Sequence, residues 1–185
     1  MSDVVVVTPR SGALIELALV KQHLRVEHSD HDDLIADHVE AAAIWLDGPK
    51  GWLGLSLGLQ TLRLDRVGFG GRDGIELPCG PVQSIEDVTY LDSDGSDVSV
   101  DADVYALKDA NRVRLVAGKS WPAGCGVDVS VTYVAGYAAD ALPAGIRNAI
   151  LLHVKILYGQ PEGQTLAALE RSRDDLLNTV RVWRV

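Results

Sequence analysis

The run Val127-Asp128-Val129-Ser130-Val131-Thr132-Tyr133-Val134, followed a short loop later by Pro143 and an apolar helical pattern, decides the fold. Val127, Val129, Val131 and Tyr133 alternate against Asp128, Ser130 and Thr132, the period of two that marks a strand with one buried face. Pro143 suits the first turn of a helix, where no backbone N–H is needed. Beyond it Ile146, Ala149, Ile150, His153, Val154 and Leu157 recur at i, i+3 and i+4 and make one face. Leu151, Leu152 and Ile156 make much of the remaining surface apolar as well, so this helix is expected to be buried nearly all round. A small domain has little room for such a helix unless another subunit covers part of it. Ile146, Ile150, Leu151, Val154 and Leu157 are therefore expected at a subunit interface.

Working outward, strand signals fill the middle of the chain. Residues 60–67 alternate, with Leu62 and Leu64 on one side and Arg63 and Asp65 on the other. Residues 75–77 form a short strand ended by Pro78, and residues 85–91 another, after which Asp92-Ser93-Asp94-Gly95 supplies turn chemistry. Residues 104–107 and 113–116 predict a hairpin across Asp109-Ala110-Asn111. Short strands with polar turns indicate a small antiparallel sheet, half covered by something else.

Helices flank that sheet region. Residues 13–26 place Leu14, Leu17, Val20 and Leu24 at helical spacing. Residues 29–47 carry the stripe Leu34, Ile35, His38, Val39, Ala42, Trp45 and Leu46, with Asp33, Asp37 and Glu40 away from it. Ser29 and Asp32 resemble a capping box, acidic residues suit the helix start, and Gly48-Pro49 stops it. After the apolar helix, Gly159-Gln160-Pro161-Glu162-Gly163 is a break. The last segment holds Leu166, Leu169, Leu176, Leu177 and Val180, then a strand-like alternation over residues 180–185 that suits strand addition to a partner. The expected class is α+β: an N-terminal pair of helices and a C-terminal buried helix packed with an inserted small antiparallel sheet. Residues 1–12 read as an extended arm, 13–158 as the body with a β-rich insertion at about 60–134, and 159–185 as a C-terminal docking arm.

Composition narrows the function classes. The chain has 185 residues, 47% of them hydrophobic, enough for a core in one domain or one domain with an insertion. No apolar run approaches the roughly 18 residues that span a bilayer. The start lacks a basic region and a long apolar stretch, so no secretory signal is expected. The net charge of −9 argues against gripping nucleic acid over a broad face. Charge is uneven, however: the part from Pro143 onward is mildly basic and the rest strongly acidic. Cys79 and Cys125 each sit beside Gly and Pro in loop-like sequence. Two distant cysteines make neither a metal ribbon nor a redox pair, and a cytoplasmic origin with free thiols is expected.

Candidate chemistry meets a plainer reading at each place. His23, His28, His31 and His38 with Asp30, Asp32 and Asp33 offer zinc or iron ligand types, but no established spacing. His38 lies on an apolar stripe, where a satisfied core histidine is commoner. Asp92, Asp94, Asp97, Asp101 and Asp103 only partly follow a calcium loop: glycine stands at the fourth position and the twelfth lacks glutamate, so a polar hairpin turn is expected. No G-x-S-x-G and no phosphate-binding loop accompany Gly68-Phe69-Gly70-Gly71. Trp45, Trp52, Trp121 and Trp183 are scattered rather than laddered. No catalytic residue, metal or cofactor is expected.

The order of the motifs carries more than any one of them. Lys21-Gln22-His23-Leu24-Arg25-Val26 precedes Asp32-Asp33-Leu34-Ile35 and an alanine-rich helix; Gln60-Thr61-Leu62 opens the first strand; Ile75-Glu76-Leu77-Pro78 and Pro81-Val82-Gln83-Ser84-Ile85 follow, then Val88-Thr89-Tyr90. Next come Val131-Thr132-Tyr133-Val134-Ala135-Gly136-Tyr137, Leu142-Pro143, Ile146, Ala149-Ile150, Leu176-Leu177 and Arg181. Over about residues 13–182 this series resembles the head–tail connector, or adaptor, family of tailed bacteriophages and phage-derived gene transfer agents. Gly159-Gln160-Pro161 departs from the charged helix end common in that family.

The resemblance implies a non-enzymatic subunit of a ring of about a dozen copies. That ring would lie in the neck of a phage-like particle, between the portal and a tail-side stopper or tail terminator protein. DNA would pass through its channel without sequence-specific binding, and an acidic or neutral lining serves such sliding. The basic and apolar tip, with Leu176, Leu177, Val180, Arg181, Val182, Trp183 and Arg184, is then expected to dock the portal. The rivals are another virion ring subunit, a metal-dependent hydrolase built on the His and Asp cluster, and a monomeric interaction domain.

Overall fold

The computed structural model describes residues 3–122, 126–138 and 141–182, all but the side chain of Arg72 among them. The chain forms two units. One comprises Met1–Arg10 and Leu59–Gly136, the other Ser11–Gly58 and Tyr137–Val185. Among the described residues the first holds every strand and one short 3-10 turn (Gly71–Asp73), the second holds the four α-helices, and together they make an α+β protein.

The strand unit holds β1 (Asp3–Thr8), β2 (Gln60–Val67), β3 (Ile75–Glu76), β4 (Val82–Leu91), β5 (Asp97–Ser99), β6 (Tyr105–Lys108), β7 (Arg112–Leu115) and β8 (Asp128–Ala135). Five form one antiparallel sheet in the order β1-β2-β8-β4-β5, and three form a second in the order β3-β7-β6. The strand expected to be strongest, β8, is the centre of the larger sheet. Its alternation is realised: Val129, Val131, Tyr133 and Ala135 are buried while the residues between them keep contact with water. Register carries the pattern outward, with Leu62 opposite Tyr133 and Leu64 opposite Val131 on one side, and Val88 opposite Val131 on the other. Ile75, Leu77, Tyr105 and Val113 complete the core of this unit. The Tyr133 hydroxyl donates to the Pro78 carbonyl at 2.7 Å, so the central strand's one buried polar tip has an acceptor. The expected hairpin joins β6 and β7, with Asp109 and Ala110 in left-handed backbone conformation at its turn.

The helical unit holds α1 (Leu17–Leu24), α2 (Asp32–Leu46), α3 (Ala144–Gly159) and α4 (Gly163–Asn178). Arg25, left-handed with φ of 60°, ends α1. Asp32 and Asp33 stand in the first turn of α2, where the helix dipole favours anions, and Lys21 of α1 pairs with Asp32. Beyond α2 the chain folds back on the helix end. Gly48 N–H bonds the Leu55 carbonyl, Trp52 N–H bonds the Trp45 carbonyl, and Asp47 Oδ1 accepts from Leu57 N–H at 2.7 Å. Gly51 is required there, because a Cβ at that position would lie 2.4 Å from the carbonyl oxygens of Leu46 and Asp47. One difference from the expected stripe stands out. Leu34 is exposed, whereas Ile35, Val39, Ala42, Ala43 and Leu46 are buried, so the buried face is turned toward Ala43 and away from Leu34. Two further strands, β1 and β5, fall where the sequence reads only as extended start and polar turn.

Candidate interaction surfaces

The apolar helix expected to meet a neighbouring subunit is α3. Ile146, Ile150 and Val154 are fully buried and Leu151 nearly so, all within the core of their own helical unit. Leu157 is half-buried, as are Leu152 and Ile156. Part of the apolar surface is taken up inside the chain, by α2 and by α4. Each such side chain, moved from water into this core, contributes about 1.5–3 kcal/mol. That accounts for the buried face of the helix, while Leu152, Ile156 and Leu157 keep part of their surface beside the exposed Lys155.

The residues expected at the docking tip divide in the same way. Leu177 is fully buried and Leu176 and Val180 pack against the helical core. Arg181 and Val182 then turn back to the loop after α2. The Arg181 guanidinium stands 4.0 Å from the centre of the Trp52 ring, a cation–π arrangement, and Val182 N–H donates to the Leu53 carbonyl at 3.1 Å. Val182 keeps an exposed side chain. Trp183 and Arg184 lie outside the described residues.

A second cationic and aromatic group lies between α2, α3 and α4. The Trp45 and His153 rings pack at 4.8 Å, and the Arg173 guanidinium lies 5.0 Å from the Trp45 ring centre. Arg173 donates to His153 Nδ1 at 3.0 Å, which places the imidazole proton on Nε2, and it also pairs with Asp174. Burial, with the Arg173 charge adding to it, pushes the His153 pKa down, against a smaller opposing pull from Asp174. Sequence spacing shows His153 only as a face residue; its stacking partners come from another helix and have no local signal.

The histidine and aspartate cluster is built for local order. His31 Nδ1 and the Tyr158 hydroxyl share a hydrogen bond at 2.7 Å, and His28 packs edge-on to His31. Among the described residues no group of three or more His, Cys, Asp or Glu side chains is placed to hold a metal. Asp92 Oδ1 accepts from the N–H groups of Asp94 and Ser96, which is the polar turn expected between β4 and β5. Burial, with Lys155 adding to it, lowers the His23 pKa.

Two apolar surfaces stay exposed, one on the helix over residues 32–47, a side of which the sequence also offers for ring contacts. On α2, Leu34 and Ile44 are exposed, Ile44 to 69%, and Ala41 lies with them on the outer face. On β1, Val5, Val6 and Val7 are exposed to 41%, 39% and 52% at the rim of the larger sheet. The valine run is visible in the sequence. Its position at an edge depends on pairing with β2, far along the chain, and has no local signal.

No protein-family model matches this chain, and no curated protein does. Solved structures do. In the neck of an empty gene transfer agent particle, computed with C6 symmetry, a chain of 22% identity superposes with a TM-score of 0.75, covering 99% of this chain and 97% of that one. In the virion of a native gene transfer agent particle the values are 23% identity and a TM-score of 0.74, over 98% and 96%. In the neck of a native particle computed with C12 symmetry they are 23% and 0.67, over 96% of each chain. At 22–23% identity these matches show a shared fold over nearly the whole chain.

Proposed function

We propose that this chain is a non-enzymatic structural subunit of the neck of a phage-like particle, an adaptor in a ring between the portal and the tail-side proteins. The observation that carries the reading is the end-to-end match of its fold to chains in neck structures of gene transfer agent particles. A shared fold alone does not transfer a function. Here the motif order in the sequence points the same way, and the side-chain clusters have structural explanations. The C6 and C12 symmetries in which those necks were computed support a ring, the C12 one agreeing with about twelve copies, and a ring needs two different complementary patches on every subunit.

Because α3 lies within its own unit, we assign ring contacts to exposed surface. The outer face of α2, with Leu34, Ala41 and Ile44, is the candidate. Leu157 is the one residue of the expected α3 set that retains part of its surface. The segment after α4 is assigned to the portal: Arg181 and Trp52 hold its base while Val182 leaves the body exposed. An acidic chain lets DNA pass without sequence-specific contact.

Electron microscopy of the particle that carries this protein tests the assignment. A closed ring at the portal's tail side, with density fitting both units, is the expected result. Density for this chain in the tail tube or capsid shell, or none in the neck, would overturn it. Deleting residues 180–185 should weaken portal binding at least tenfold; undiminished binding removes the docking role of the tail.

A further inference from the structure

We propose that the outer edge of β1 is a contact surface for a second copy of this chain, the two β1 strands pairing antiparallel about a two-fold axis. Among the described residues only one side of β1 is hydrogen-bonded: it pairs with β2 and ends the sheet. The other side offers a row of backbone donors and acceptors, a template for a further strand. Exposure falls on both faces of the strand. Val4 and Val6 stand opposite Leu64 and Leu62, on the core side, while Val5 stands opposite Arg63 on the water side. A helix or loop laid on one face would leave the other in water, whereas a strand at the edge covers both.

The remaining sheet edges are guarded in the ways that discourage pairing. β5 is three residues long and begins with Asp97, β3 is two residues long and ends with Glu76, and β6 ends with Lys108. β1 is longer, and between Asp3 and the register shift after Val6 three valines stand in a row without charge or proline.

The strand is complementary to itself. Opposed residues in an antiparallel pair point to the same face, so a two-fold axis normal to the sheet must pair residues of like parity. With the axis at Val5, Val5 meets Val5 of the other copy and Val4 meets Val6, all three before the register shift that follows Val6. Valine faces valine on both sides of the sheet. The one charged residue of the strand stays apart from its mate, so no like charges are opposed. This contact is separate from the head-to-tail contacts of a ring and concerns the protein away from the particle.

Cross-linking tests it. Opposed Cα atoms lie about 4.5–5.5 Å apart in such a pair, within the span of a disulfide. Val5→Cys should therefore form a covalent dimer under mild oxidation at least tenfold faster than the wild-type chain, which controls for Cys79 and Cys125. Adding Val6→Lys, with the circular dichroism spectrum retained, should abolish the gain. A Val5→Cys protein that cross-links no faster than wild type, or one indifferent to Val6→Lys, overturns the proposal. If Val6→Lys does not fold, hydrogen exchange in the wild type decides. Protection of the residue 3–8 amides that rises with protein concentration supports the pairing, and concentration-independent protection overturns it. Protection that appears only when another particle component is added also overturns it. The neck assignment is untouched by each of these results, because it stands or falls on where the chain sits in the particle.

Discussion

Helix α3 and strand β1 are both conspicuous apolar runs, and the chain treats them in opposite ways. α3 reads as too apolar for a small domain, yet Ile146, Ile150 and Val154 are fully buried by elements of the same unit. β1 is a shorter run with a plainer sequence, yet three of its valines stay in water at a sheet rim. Surplus hydrophobicity therefore does not by itself identify an intermolecular surface. What matters is whether a later element of the chain arrives to cover it, as α4 does for α3 and as nothing does for β1 among the described residues.

The sharpest way to break this contrast is to truncate each run. Ile150→Ala, in the helical core, should lower unfolding stability by about 2–5 kcal/mol, read as a shifted denaturant midpoint with an unchanged slope. An effect below about 1 kcal/mol would mean that α3 is not packed as described. In the strand unit, Tyr133→Phe removes the part-buried bond to the Pro78 carbonyl, which should cost about 0.5–1.5 kcal/mol in the same assay. Arg181→Ala, which breaks the stack on Trp52, should cost about 0.5–1 kcal/mol and speed proteolysis of the segment after α4. Val7→Thr, on the exposed edge, should stay within about 0.5 kcal/mol for the monomer in dilute solution.

Acid sharpens the same comparison, because the lowered imidazole pKa values belong to the helical unit. His153 binds its proton less readily folded than unfolded, so its contribution is intact above pH 6.5, the ordinary imidazole value. It is lost as pH falls below 6.5 toward the lower folded-state pKa. His23 acts in the same direction more weakly, being largely exposed. Helical signal should thus weaken before sheet signal as pH falls below 6.5, and His153→Gln should flatten the pH dependence. An unchanged profile in that variant would remove the role given to the contact between His153 and Arg173.

Legibility in the sequence followed the range of the interactions. β2, β8 and the β6–β7 hairpin could be read because alternation is local and one face of each is buried. α2 was readable as a helix, but its buried face is turned away from Leu34, since a periodic stripe fixes spacing and leaves open which edge of a broad face the core takes. β5 was hidden by its length and its polar residues. The edge position of β1, the Trp45–His153–Arg173 stack and the Trp52–Arg181 contact each join residues far apart in sequence. Such pairs leave no periodicity, so composition alone could not show them. The cover over α3 was hidden for a related reason: α4 is polar on most of its surface and buries chiefly Leu177.

The alternation of the two units along the chain has a consequence for synthesis. The strand unit, from residues 1–10 and 59–136, has its last strand in hand well before the helical unit has all of its own segments. As the chain emerges from the ribosome, α1 and α2 are made early and must wait, with Ile35, Val39 and Leu46 uncovered, through the whole of the sheet's production. Their fold is completed only when α3 and α4 appear. Asp32, Asp33, Asp37 and Glu40 give α2 a negative charge during that wait, and like charge opposes association of uncovered apolar faces.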